Sequence, residues 1–216
     1  MILCLLEEMM PKVAYTEAER QRIRQQLVSA GLELMAEQGL RAARVEQICS
    51  RVGISRSFFY SFFPTKEDLI IEAIYLQQPK VLKYAGELMA VPGLSWREKI
   101  KSFLHACCDG DKGIAVFSME EHQMIFNRMT EESRRVFRER QKKFFSDILK
   151  CFGIEAGPGD ISLFANLCLS AIIVRKAIPD KLPLFIPEAA DPMVELQINA
   201  VADYLESLKA RMNERQ

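Results

Sequence analysis

The chain has 216 residues, 49% of them apolar, and its 29 basic side chains are matched by 29 acidic ones. That length supports one large or two small cores, and that balance excludes both a disordered chain and a molecule held on nucleic acid by bulk positive charge. Charge is nevertheless uneven: residues 12–66 carry nine Lys or Arg against five Glu, while the rest leans acidic. A modestly basic amino-terminal module on a slightly acidic body suits a nucleic-acid reader with a separate second domain.

Residues 1–15 read as an amino-terminal arm, with Pro11 onward as an ordinary beginning and Met9 or Met10 as alternative starts. Thr16 with Glu19 makes a capping box for a helix over Glu17–Gln38, whose apolar positions Ile23, Leu27, Ala30, Leu34 and Met35 recur at helical spacing. Gly39 stops it. A second helix is predicted over Arg44–Val52, with Val45, Ile48, Cys49 and Val52 on one face. Gly53 supplies the left-handed residue that a tight turn needs. Ser55 caps a third helix to Phe62. Its outer surface carries Arg56, Ser57, Phe58, Tyr60, Ser61 and Phe62, while Ile54, Phe59, Phe63 and Leu69 are candidate core. Helix, glycine turn and helix with such a polar-aromatic face is a means of placing side chains in a DNA major groove.

Pro64 breaks the chain, and Thr65 with Asp68 opens a fourth helix, predicted to pause at Pro79 and resume to about Ala90. Further helices are predicted from Ser95 through Cys107, over Ile114–Arg128, over Glu131–Phe152 behind Thr130, over Asp160–Ala177 and over Ala190–Met212. The linker Pro179–Pro187 has no helical period. The fold class is all-α: a three-helix helix-turn-helix head over 16–64 and a larger helical domain over 65–216, to which the family resemblance given below assigns ligand binding and dimerisation. Cys4, Cys49, Cys107, Cys108, Cys151 and Cys168 form no CxxC pair. They read as reduced thiols of a cytoplasmic protein, with no metal site or cofactor. No uninterrupted apolar run reaches the ~18 residues of a membrane span.

The text from Gly39 through Arg44-Val45-Glu46-Gln47-Ile48-Cys49, Val52-Gly53-Ile54-Ser55, Ser57-Phe58-Phe59-Tyr60-Ser61-Phe62-Phe63 and Lys66-Glu67-Asp68-Leu69 resembles the amino-terminal signature of the TetR family of bacterial regulators. The resemblance implies DNA contacts from Arg44, Ser55, Arg56, Ser57, Phe58, Tyr60, Ser61, Phe62 and Lys66, with Tyr60 on a phosphate. A phosphate would also explain Lys66, because a cation in the first turn opposes the helix dipole. Three positions depart from the family pattern. Arg44 stands for a capping threonine, Ser57 for a glycine, and Phe58 for a hydrogen-bonding threonine, so Phe58 can pack only on a thymine methyl or a sugar. Lys12 is a further phosphate candidate, and Arg20, Arg22 and Arg24 read as solvated charges or weak phosphate ligands.

The same resemblance implies a homodimer on a palindromic operator, released by a small, largely apolar effector. Trp96, Phe103, Phe117, His122 and Asn166 are candidate pocket residues. Phe164, Cys168, Ala171 and Ile172 on one helix, with Tyr204, Leu205 and Leu208 on the last, are the candidate dimer interface, because the first of these helices is apolar almost all round. One alternative is a chromosome-organising DNA binder without an inducer. The other is a thiol enzyme or redox sensor built on His105, Cys107 and Cys108, for which no Gly-rich, HExxH or GxSxG motif is present.

Overall fold

A computed structural model describes residues 15–110, 117–178 and 184–214. The arm with Lys12, Cys4 and the candidate starts, the beginning of the helix predicted from Ile114, and most of the Pro179–Pro187 linker lie outside the described residues. Among the described residues the regular structure is helical throughout: α1 Glu17–Ala42, α2 Val45–Val52, α3 Arg56–Phe59, α4 Lys66–Ala90, α5 Trp96–Asp109, α6 Met119–Arg128, α7 Glu131–Cys151, α8 Pro158–Ala177 and α9 Ala190–Asn213. The chain divides between Leu69 and Ile70 into two compact units.

In the amino-terminal unit the predicted caps are the ones used. Thr16 accepts from the Glu19 amide while the Glu19 carboxylate accepts from Thr16. Gly39 leaves helical geometry at φ 79, so α1 is kinked there and one further turn reaches Ala42. Gly53 is left-handed at φ 76, and its N–H closes α2 on the Cys49 carbonyl. Leu27, Leu34, Leu40, Ile48, Phe59, Phe63 and Leu69 fill the core. Gly31 is where α1 meets the start of α4: a Cβ there would lie 2.5 Å from Leu69 Cδ2.

The carboxy-terminal unit is layered from α5, α7, α8 and α9 around Ile100, Phe103, Ile148, Phe152, Phe164 and Ile198. Ion pairs fasten its surface. Arg97 reaches Asp203 at 2.7 Å and Glu206 at 2.6 Å, tying α5 to α9. Arg175 joins Asp109 at 2.7 Å and Asp191 at 2.9 Å. Pro79 does not interrupt the helix. It lies inside α4, which continues from Lys66 to Ala90, so neighbouring packing outweighs the missing N–H. α8 is apolar on most of its surface. By length and composition alone its 20 residues, with a mean hydropathy of 1.3 over an 18-residue window, would cross a membrane. It contributes Phe164, Cys168 and Ala171 to the core of its unit, and core helices share that composition.

Candidate functional site

The outer face of the amino-terminal unit is set by how short α3 is. Ser55 Oγ accepts from the Phe58 amide at 3.2 Å and starts the helix. One turn later the chain tightens, with Ser61 and Phe62 amides bonding back three residues to Phe58 and Phe59. The Ser61 hydroxyl caps the Phe58 carbonyl at 2.7 Å. Two arginines of α1 hold this end: Arg20 donates to the Ser61 carbonyl and Arg24 to the Phe62 carbonyl. Their guanidinium groups lie 4.7 Å over the Phe62 ring and 4.4 Å over the Phe63 ring. Arg20 and Arg24 are therefore structural, correcting their reading as solvated charges.

Ser55, Arg56, Ser57, Tyr60, Ser61 and Arg44 are exposed. Arg56 bonds Glu46 of α2 at 2.7 Å, and its guanidinium reaches the Tyr60 hydroxyl at 3.4 Å. Phe58 is half-buried beneath Tyr15, whose ring stacks on it at 4.9 Å. Two expected contacts are placed differently. Phe62 is 8% exposed, because the helix ends before it and the turn rotates its ring inward. Lys66 donates from Nζ to the Leu40 carbonyl at 3.0 Å and the Ala43 carbonyl at 2.9 Å. It clamps the end of α1, whose carbonyls supply the negative partner that the sequence reading sought in a phosphate.

The carboxy-terminal unit holds a cavity of about 430 Å³ between α4, α6, α7 and α8. Of the candidate pocket residues, Phe117, His122 and Asn166 line it, and so does Ile172, a candidate dimer residue. Its main aromatic wall is Phe126, Phe137, Phe144 and Phe145. Phe126 and Phe137 meet edge-to-face at 5.6 Å. The signal was legible: Phe137, Gln141, Phe144 and Phe145 share one face of α7. His122 Nδ1 lies 2.9 Å from the Ser118 carbonyl, an acceptor only, so Nδ1 carries the proton and Nε2 is the acceptor of the neutral ring.

Trp96 and Phe103 do not line the cavity. Trp96 donates Nε1–H to the Phe152 carbonyl at 2.9 Å, and Phe103 packs edge-to-face on Phe152 at 5.2 Å, so both serve the core. Phe164, Cys168, Ala171, Leu205 and Leu208 are also buried inside their own unit, and Tyr204 donates to Asp160 at 2.8 Å. Large apolar side chains exposed on the same helices include Leu163 and Leu196, 47% and 70% exposed. Burial pushes Cys107 up to about 12 and Cys108 up to about 11, and raises Cys168 strongly, which disfavours their reactive thiolates. Among the described residues no group of three His, Cys, Asp or Glu is arranged to hold a metal ion.

A turn closed by a left-handed glycine, followed by a one-turn helix with an exposed Ser-Arg-Tyr face, defines a helix-turn-helix DNA-binding unit. Residues 27–73 match the family described as bacterial regulatory proteins, tetR family. Two Pseudomonas putida proteins, the HTH-type transcriptional regulator SrpR and the uncharacterized HTH-type transcriptional regulator TtgW, are each 28% identical over 129 residues, or 56% of this chain. The match spans 58% of SrpR and 92% of TtgW. A TetR transcriptional regulator from Rhodococcus sp. RHA1 has the same fold at a TM-score of 0.59 and 16% identity, over 87% of this chain and 97% of that one. The tetR-family match thus falls on the helix-turn-helix, and the chain shares with that regulator the fold of a helix-turn-helix head and a larger helical domain.

Proposed function

We propose that this protein is a transcriptional regulator of the TetR family and works as a homodimeric repressor in the cytoplasm, bound to a palindromic operator and released by a small apolar effector. DNA is read by Ser55, Arg56, Ser57, Phe58, Tyr60 and Ser61, with Arg44 on a phosphate. Two such heads entering successive major grooves require half-sites about 34–36 Å apart. The exposed Leu163 and Leu196 on helices otherwise packed into the core support pairing through the outer faces of α8 and α9. The observation that carries the effector role is the cavity of about 430 Å³, which falls in the range of ligand sites and is walled by aromatic rings. Release follows if an occupied cavity favours a position of α4 in which the two heads no longer match the half-site spacing.

The test begins with selection from a random duplex library. A palindromic motif bound by wild type and lost in Tyr60→Ala supports the reading, and recovery of no motif rejects it. Leu163→Glu with Leu196→Glu is expected to sediment as monomer, and an unchanged dimer would remove those faces from the interface. A ligand-independent footprint under every effector tried would favour the chromosome-organising alternative.

A further inference from the structure

We propose that the cavity takes an arene of two or three rings carrying one acidic oxygen group, a carboxylate or phenolate, and discriminates against organic cations. This rests on reading the cavity as the effector site. A cavity of about 150 Å³ holds one benzene, so about 430 Å³ accommodates two or three rings. Phe126 and Phe137 already meet edge-to-face at 5.6 Å, the geometry in which a further flat ring adds favourably.

The charges lining the cavity are of one sign. Arg138 and Lys142 border it, and among the described residues that line it there is no Asp or Glu. A cation leaving water there would lose its hydration and find no carboxylate among the lining residues to replace it. An anion would meet two donors. Arg138 now pairs with Glu131 at 3.2 Å and Lys142 with Glu139 at 2.9 Å. All four side chains are about half exposed or more, so these ion pairs hold little and their carboxylates can return to water. Gln78 and Gln141, joined at 3.5 Å, add amide donors beside the cations. The position of both cations on α7, one turn apart, lets them grip one oxygen group together.

The experiment is calorimetric titration of the full chain with three matched probes: naphthoate, neutral methylnaphthalene and naphthyl trimethylammonium. Naphthoate is expected to bind roughly ten- to hundredfold more tightly than the cation, the value of a charge-assisted hydrogen bond. Arg138→Gln with Lys142→Gln is expected to abolish that preference and leave methylnaphthalene within about twofold, a readout that general unfolding would not give. If the neutral probe binds and no charge preference exists, or the preference survives in the double variant, the inference is overturned while the effector reading stands. If none of the three probes binds, both fall.

Discussion

Replacing Lys66 by methionine separates a clamp from a phosphate ligand. In the structure its ammonium donates to two carbonyls, Leu40 at 3.0 Å and Ala43 at 2.9 Å, at the end of α1. Methionine keeps the aliphatic stem and removes both bonds. A hydrogen bond involving a charged group is worth about 1.5–3 kcal/mol, and both bonds share one ammonium, so the loss is about 3 kcal/mol rather than twice that. For a chain of this size that lowers the midpoint by roughly 6–12 °C. Thermal unfolding followed by circular dichroism measures it. The slope of log affinity against log salt for a fixed duplex, measured well below the midpoint, provides the second arm. Each phosphate contact contributes about 0.9 to that slope, and the clamp predicts no change. A variant with unaltered melting and a slope shallower by about one unit would refute the reasoning and return Lys66 to the DNA.

Gly53→Ala should cost about 1–2 kcal/mol from backbone strain at φ 76 alone, since nothing lies within 4 Å of a Cβ there, and Gly53→Asn should recover much of it in urea unfolding. Phe58→Ala should weaken binding to the selected operator more than to random duplex, read by fluorescence anisotropy; equal loss on both would show that the ring does not read sequence. In the native protein, burial raises the Cys107 and Cys108 thiols, so at pH 8 their reactive thiolates are scarcer than that of an ordinary thiol. Iodoacetamide labelling quantified by peptide mass spectrometry should therefore mark both in urea and neither without it; rapid native labelling would revive the redox alternative. Burial, and then the bond to Asp160, push Tyr204 from 10.0 up to about 12. The folded state thus holds this proton more tightly, so the group's contribution to stability is full below pH 10 and is lost as pH rises through 12. Tyr204→Phe should flatten that portion of the urea midpoint's pH dependence, and an unchanged profile would exclude Tyr204 as its source.

Local chemistry determined what the sequence could decide by itself. Thr16, Gly53, Ser55, Ser95 and Thr130 mark helix ends because a cap or a left-handed turn depends on residues within four positions. The exposed Ser55, Arg56 and Tyr60 were legible for the same reason. The length of α3 was not, because its ending depends on arginines of α1 about 40 residues earlier in the chain, and with it went the orientation of Phe62. Lys66 found its partners 26 and 23 residues away. In the second unit, apolar periodicity identifies a helix that must bury surface without saying against what. Phe103 and Phe137 are equally aromatic, yet only the packing of α5 and α7 made one core and the other a cavity wall. Which side of α8 faces inward was likewise a tertiary decision, since a helix apolar all round carries no preferred face of its own.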